Sequence, residues 1–273
     1  MKLKKILGLG LGLVIMTSVV GCSLGENSSK KADASEDKTI VVGASSTPHA
    51  EILDAIKPLV EEKGYKLDVK IFDDYVLPNT ALSEGALDAN YFQHIPYLEE
   101  TVSQKGYDLT YSVKVHLEPM GVYSNKLKSL GELKDNSKIA IPNDPTNGSR
   151  AIQLLADNGL IKVDNKELLT VKDISENNKN IEFIEVEAAQ LPSVLQDVDA
   201  AVINTNYALS ANLNPTEDAI AIESSDSPYS NVLACREDNK ESEKIKVLSD
   251  ALTSDKAKNF IEEKYEGSII PSF

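Results

Sequence analysis

A strand-to-helix connection near the middle of the chain carries the clearest candidate for an anion-binding group. Residues 141–150 read IPNDPTNGSR, so an apolar strand ends, small polar residues follow, and a predicted helix begins with Arg150 in its first turn. Free backbone N–H groups and the helix dipole favour an anion there, and the arginine fork suits a carboxylate. A capped helix with a surface arginine is the alternative. Only two arginines occur in the chain against 26 lysines, which favours a ligand role.

Aromatic and imidazole side chains crowd the ends of two predicted strands in the first third of the chain. They lie in the segments DDYVLPN, residues 73–79, and DANYFQHIPY, residues 88–97. Tyr75, Phe92, His94 and Tyr97 could line an apolar pocket with polar tips at its rim. Ordinary core aromatics are the alternative interpretation.

Amide side chains form a third group. Asn204 and Asn206 follow a predicted strand, and Asn231 ends the segment SPYSN, residues 227–231. Buried amides can accept hydrogen bonds from an ammonium group, although Asn is also common in turns. Together the three groups offer a cation for a carboxylate, acceptors for an ammonium and an apolar slot. This set is complementary to a zwitterionic amino acid with an apolar side chain.

The elements that must position these groups alternate between strands and helices. Short β-rich runs predict strands near residues 40–42, 67–71, 89–92, 109–116, 138–141, 181–186, 200–203, 219–223 and 232–236. Amphipathic periods predict helices near residues 52–60, 78–84, 96–104, 148–157, 191–196, 205–211 and 244–264. The alternation indicates an α/β protein. We expect lobe 1 at residues 39–118 plus 225–273 and lobe 2 at 119–224, with a ligand cleft between them.

The first 21 residues are typical of a secretory signal. Three lysines precede an uncharged apolar stretch from Ile6 to Val20, which at about 1.5 Å per residue is too short to cross a bilayer as a helix. Cys22 directly follows Val-Val-Gly, which resembles the lipobox of bacterial lipoproteins. The resemblance implies cleavage before Cys22 and a lipid on its sulfur; an ordinary signal with an incidental cysteine is the alternative. Residues 22–38 have one leucine and no aromatic residue and predict a flexible tether.

The acidic composition argues against two classes of partner. Removal of residues 1–21 takes away three lysines and no acids, which shifts the net charge from −15 to −18. Such acidity disfavours nucleic acid and anionic membrane surfaces as partners. With Cys22 lipidated, Cys235 has no disulfide partner and is expected to be a buried, inert thiol.

Two other functional classes find little support in the motifs. No G-x-S-x-G, H-E-x-x-H or P-loop pattern occurs, so we expect no enzyme. A zinc-binding solute receptor is the other rival, because His49, His94 and His116 with acidic residues could in principle bind a metal. No two of these histidines have a metal-binding spacing, so we expect no metal and no cofactor.

Five strings of residues closely resemble the methionine-binding lipoproteins of the MetQ/NlpA family. They are YVLPN at 75–79, LDANYFQH at 87–94, PNDPTN at 142–147, AVINTNYA at 201–208 and SPY at 227–229. The resemblance extends from about Thr39 to Phe273. It implies a two-lobed, periplasmic-binding-protein-like fold of type 2. It also implies a substrate-binding protein that passes L-methionine to the permease and ATPase subunits of an ABC importer. Such a protein is anchored by its lipid to the extracytoplasmic face of the cell membrane.

The same resemblance implies roles for individual residues. Arg150 matches the residue that holds the ligand carboxylate, Asn206 and Asn231 match amides near the amino and carboxylate groups, and Asn204 is a weaker candidate. The side-chain pocket is matched by Tyr75, Phe92, His94 and Tyr97. Ser149 replaces a glycine that is common before the arginine and is expected to lie beside the site. A methionine-containing dipeptide, D-methionine or another apolar amino acid remain alternative ligands.

Overall fold

A computed structural model describes residues 38–273 of the chain. The predicted signal segment, Cys22 and the predicted tether up to residue 37 lie outside the described residues. None of the helices in residues 38–273 has the length and apolar character that a membrane crossing requires.

The described residues form thirteen strands and eight α-helices, in an alternating order. The strands are β1 (Thr39–Ala44), β2 (Lys66–Ile71), β3 (Ala89–His94), β4 (Leu109–Leu117), β5 (Gly121–Tyr123), β6 (Lys138–Pro142), β7 (Lys162–Val163), β8 (Ile174–Glu176), β9 (Glu182–Val186), β10 (Ala200–Ile203), β11 (Ala221–Ile222), β12 (Ser230–Arg236) and β13 (Ile270–Pro271). The helices are α1 (Glu51–Glu62), α2 (Leu77–Ser83), α3 (Ile95–Lys105), α4 (Pro145–Asp157), α5 (Leu191–Val194), α6 (Thr205–Ser210), α7 (Glu243–Leu252) and α8 (Asp255–Tyr265). The α/β class expected from the sequence is therefore the class of the fold.

One six-stranded sheet has the order β13-β4-β12-β3-β1-β2. Strands β2, β1 and β3 run parallel, whereas β12 pairs antiparallel with both β3 and β4. Helix α1 buries the apolar stripe of Ile52, Leu53, Ile56 and Val60 on one face of this sheet, together with α7 and α8. Helices α2 and α3 cover the other face. Burial on both faces explains why β1 is mostly apolar in sequence.

The second large sheet has five strands in the order β11-β5-β10-β6-β9. Strands β10, β6 and β9 are parallel, and β5 is antiparallel to β10. Helix α4 packs on one face through Ile152 and Leu155, and the other face is covered by α5 and α6. Gly148 permits the close approach of α4 to β6, because a Cβ at this position would lie 2.9 Å from the Pro142 carbonyl oxygen.

The chain passes from the first sheet to the second between β4 and β5 and returns between β11 and β12. The boundaries expected from the sequence fall in these two connections. We call residues 39–118 with 225–273 the first half and residues 119–224 the second half. That the halves act as mobile lobes stays a proposal.

Several element boundaries differ from the sequence-based predictions. Helix α4 begins at Pro145 rather than near residue 148, because the Asp144 side chain caps it by accepting from the Asn147 N–H. The single terminal helix predicted for 244–264 is two helices, since Ser254 caps a new start by accepting from the Ala257 N–H. Four short strands, β5, β7, β8 and β13, were not predicted. Their two or three residues are too few for a periodic pattern.

Candidate functional site

A cavity lies between the two sheets. Both halves of the molecule contribute to its lining. The lining includes all eight residues expected from the sequence, Tyr75, Phe92, His94, Tyr97, Arg150, Asn204, Asn206 and Asn231. It also includes four that the sequence analysis did not single out, Gln93, Glu118, Asn147 and Thr205.

Strand ends and helix starts position these side chains. Phe92 and His94 lie on β3, and the His94 side chain caps α3 by accepting from the Tyr97 N–H at 3.1 Å. Arg150 lies in the second turn of α4, and Asn204 and Asn206 lie where β10 passes into α6. The site thus forms at the carboxyl ends of β3, β6 and β10, where open α/β sheets bind ligands.

The Arg150 guanidinium is buried and held by the protein along one edge. Its Nε and Nη2 donate to the two carboxylate oxygens of Glu223 at 2.9 and 2.5 Å, and Nη2 also donates to the Glu118 backbone oxygen at 2.7 Å. The guanidinium carbon lies 4.2 Å from the centre of the Tyr229 ring. Within residues 38–273 Nη1 makes no hydrogen bond. The sequence analysis expected the paired donors of the guanidinium to bind a ligand carboxylate, but Glu223 occupies the Nε–Nη2 pair. Nη1 is therefore the donor left for a ligand.

Three amides at the cavity differ in which atom the protein already uses. Asn204 donates from Nδ2 to Asn147 Oδ1 at 2.7 Å, and its Oδ1 is buried without a partner among the described residues. Asn206 Oδ1 accepts from the Tyr75 hydroxyl at 2.5 Å, and Asn231 Oδ1 lies 3.1 Å from His49 Nε2. Asn204 thus offers an acceptor to the cavity, whereas Asn206 and Asn231 offer their NH₂ groups as donors.

Aromatic rings form the apolar end of the cavity. The Tyr75 ring lies 5.8 Å from the rings of both Phe92 and Tyr97, and Phe92 lies 6.1 Å from Tyr97, all centre to centre. The Tyr97 hydroxyl donates to the Tyr75 carbonyl oxygen at 3.0 Å, which turns its polar atom away from the rings. The result is an apolar wall with satisfied polar tips.

His94 connects the aromatic end to the amides as a neutral group. Since Nδ1 accepts from the Tyr97 N–H, Nε2 carries the proton and donates to Asn147 Oδ1 at 3.1 Å. Burial, and secondarily the nearby Arg150 charge, lowers the pKa of His94 to about 3. The positive charge of the lining is therefore the Arg150 guanidinium.

A buried cluster of His49, His116 and Glu118 adjoins the cavity, and its donor atoms lie within 4.8 Å of one another. This is the donor set of a metal site, but His116 Nε2 is only 2.7 Å from Glu118 Oε1. Two ligands of one tetrahedral zinc ion would lie about 3.3 Å apart. The contact is a direct hydrogen bond, so the residues fit a hydrogen-bonded network better than a metal centre. His94, the third histidine of the zinc hypothesis, is not part of this cluster and is hydrogen-bonded to Asn147 instead.

Some functional candidates had no signal in the sequence. Glu223 lies 73 residues from Arg150, and His49 lies 182 residues from Asn231. Only the fold brings these pairs together. Ser149, expected to lie beside the site, directly precedes Arg150 but is not among the residues that line the cavity, and its hydroxyl accepts from the Leu169 N–H.

Comparison with known proteins gives consistent matches over most of the chain. The family model described as "NlpA lipoprotein" matches residues 40–273. "Methionine-binding lipoprotein MetQ" of Bacillus subtilis (strain 168) is 43% identical over 274 residues, 98% of each chain. "D-methionine-binding lipoprotein MetQ" of Escherichia coli (strain K12) is 40% identical over 264 residues, 94% of each chain.

Solved structures agree with these matches. "The structure of a nutrient binding protein from Burkholderia cenocepacia bound to methionine" has a TM-score of 0.84 and 47% identity, covering 86% of this chain and all of that one. "Crystal Structure of the Methionine Binding Protein, MetQ" has a TM-score of 0.85 and 40% identity, covering 87% of this chain and 99% of that one.

Proposed function

This chain belongs to the NlpA lipoprotein family, and from that premise we propose that it is a substrate-binding protein that captures L-methionine for an ABC importer. Its role is to bind and deliver a solute rather than to catalyse a reaction. The names of relatives at 40–43% identity and of a methionine-bound structure at 47% identity support this ligand.

The cavity lining carries the proposal because it complements each part of an amino acid. Arg150 Nη1 and the Asn231 NH₂ group are donors for the carboxylate, and Asn204 Oδ1 is an orphaned acceptor for the ammonium. The buried Glu118 carboxylate adds a second acceptor at this end. The rings of Tyr75 and Phe92 supply an apolar surface, on which a thioether sulfur makes favourable contacts.

Capture proceeds by closure of the two halves over the ligand. The aromatic rings and Asn231 belong to the first half, whereas Arg150 and Asn204 belong to the second, so a bound ligand touches both only when they are together. The Tyr75–Asn206 hydrogen bond and the bond from the Tyr207 hydroxyl to the Asp73 carbonyl also join the halves. Ligand shifts the balance toward the closed state by its higher affinity for that state.

The anchor and the transporter partner belong to the same proposal. A lipid on Cys22 would hold the protein at the extracytoplasmic face of the cell membrane, where permease and ATPase subunits form the importer.

D-methionine is a second candidate ligand, because several relatives are named D-methionine-binding lipoproteins. Inversion at Cα exchanges two substituents, so the D-isomer must shift either its ammonium or its side chain relative to the donors and acceptors above. A methionine-containing dipeptide and other apolar amino acids are further outcomes of the same test.

Calorimetry on ligand-stripped protein tests the proposal. The protein is unfolded, dialysed and refolded to remove any bound molecule, then titrated with L-methionine, D-methionine, glycyl-methionine and leucine. We expect one site and the highest affinity for L-methionine. Absence of binding to any methionine-containing ligand would contradict the proposed function, and tightest binding of the D-isomer or dipeptide would reassign the ligand.

A further inference from the structure

His49 is a fully buried histidine that does not line the cavity but touches a residue that does. It lies in the irregular turn Ser46–Ala50 between β1 and α1, and 1% of its surface is exposed. Its Nδ1 is 2.6 Å from the Ser45 hydroxyl, and its Nε2 is 3.1 Å from Asn231 Oδ1. Hydrogen bonds thus connect Ser45, at the carboxyl end of β1, through His49 to Asn231 at the binding site.

The surroundings of His49 settle which nitrogen carries the proton. Besides Asn231 Oδ1, the Glu118 Oε1 atom lies 3.3 Å from Nε2. A lone pair on Nε2 would face that carboxylate and be repelled, so Nε2 carries the hydrogen and Nδ1 accepts from the Ser45 hydroxyl. His116 repeats the pattern, with Nδ1 beside the Tyr91 hydroxyl and Nε2 2.7 Å from Glu118 Oε1.

This proton position determines how the Asn231 amide is presented to the cavity. A side-chain amide has one acceptor end and one donor end. Because the Nε2–H of His49 takes up Oδ1, the NH₂ group is the end left for a ligand, and it makes no hydrogen bond within residues 38–273. A free amide of this kind could turn over and offer its oxygen, which would repel a carboxylate.

We infer that His49 is a positioning residue that fixes the Asn231 amide with its NH₂ group toward the ligand carboxylate, and so contributes to the selection of α-amino acids. The inference rests on the proposed function. His49 acts through Asn231 and makes no contact with the ligand itself. Its contribution should therefore vanish when the Asn231 amide is absent.

A double-mutant cycle tests this dependence in the mature chain, with L-methionine affinity measured by calorimetry on wild type, His49→Leu, Asn231→Ala and the double variant. We expect each single variant to bind about tenfold more weakly, and the double variant to stay within about twofold of Asn231→Ala. His49→Gln, which keeps an N–H donor, is expected to stay within about threefold of wild type. Circular dichroism establishes that each variant is folded.

The outcomes separate the inference from the function on which it rests. If wild type binds and the two single effects multiply in the double variant, His49 has only a structural role and the inference is wrong. If His49→Leu does not fold, His49→Gln decides: a folded glutamine variant that loses about tenfold or more contradicts the donor role. Failure of the wild type to bind L-methionine would instead refute the proposed function.

Discussion

The two ends of the cavity are built on different principles. At the polar end, Arg150 and the amides of Asn204 and Asn231 are each held on one side by a protein hydrogen bond, which leaves a defined donor or acceptor facing the cavity. At the aromatic end, Tyr75 and Phe92 meet through rings 5.8 Å apart, without directional bonds. Directional groups discriminate between functional groups, whereas ring surfaces tolerate changes of shape. We therefore expect the polar end to select α-amino acids and the aromatic end to rank their side chains.

Removal of the Arg150 guanidinium should have the largest effect on L-methionine affinity. Arg150→Ala takes away the buried cation that faces the carboxylate and leaves Glu223 without its cationic partner, so we expect L-methionine affinity to fall at least tenfold, with a cost of about 2–5 kcal/mol. Calorimetric titration of the variant and the wild type with L-methionine measures this loss of affinity.

The other arginine supplies a matched control. Arg236 donates to the carbonyl oxygens of Leu82 and Leu87, away from the cavity, so Arg236→Ala should leave the affinity nearly unchanged. Equal affinity of Arg150→Ala and wild type would remove Arg150 from the site.

Acidification should destabilise the fold around the polar end. Burial lowers the pKa of His49 to about 4 and those of His94 and His116 to about 3. The unfolded chain binds more protons at these groups between pH 6.5 and about 4, so the free energy of unfolding falls as the pH is lowered through that window. Each histidine contributes up to about 1.4 kcal/mol per pH unit, and Glu118, whose pKa is raised by burial, offsets part of this.

Urea unfolding at pH 7, 6 and 5 measures the effect. We expect a loss of several kcal/mol between pH 7 and 5, with a smaller slope in His94→Gln. The hydroxyls of Tyr75 and Tyr97 at the aromatic end do not titrate in this range, because burial raises their pKa values further above 10. A stability that does not change with pH would mean that the histidines are solvated or charged in the folded protein.

Loss of the Asn204 acceptor should reduce ligand affinity less than Arg150→Ala does, and only for ligands that carry an amino group. Asn204→Ala removes the orphaned Oδ1 that faces the ammonium, and a hydrogen bond to a charged group contributes about 1.5–3 kcal/mol. Affinity for L-methionine should fall about tenfold or more, whereas affinity for 4-(methylthio)butanoic acid, which lacks the amino group, should change little. Equal losses for both ligands would show that Asn204 does not contact the ammonium.

A change at the aromatic end should have the smallest effect on affinity but alter ligand preference. Phe92→Leu keeps an apolar wall and loses only ring contacts, so we expect L-methionine binding to weaken about two- to tenfold. Norleucine, which has a methylene in place of the sulfur, should lose less. The contrast between the two ends fails if Phe92→Leu weakens binding as much as Arg150→Ala.

The local pattern of apolar residues in the sequence predicts most of the helices and strands. The stripe of Ile52, Leu53, Ile56 and Val60 predicts α1, and apolar runs bounded by turns predict β6 and β10. The predicted start of α4 near residue 148 is wrong, because the Asp144 side chain caps the helix and lets it begin at Pro145. Strands of two or three residues exist only through pairing with partners distant in sequence, as β13 does with β4.

The residues of the candidate site also fall into those that the sequence predicts and those that only the structure identifies. The eight predicted residues lie in or next to strands and helices that have a clear sequence pattern, and the structure brings them around one cavity. That they bind ligand stays a proposal. Glu223 and His49 have no such signal, because their roles depend on contacts with Arg150 and Asn231 that only the folded chain creates.

A crystal structure of the protein with bound L-methionine tests the account most directly. We expect the ligand carboxylate within hydrogen-bonding distance of Arg150 Nη1 and the Asn231 NH₂ group, the ammonium at Asn204 Oδ1, and the thioether between the rings of Tyr75 and Phe92. A ligand bound in the reverse orientation, with its side chain at Arg150, or bound outside this cavity, would contradict the account.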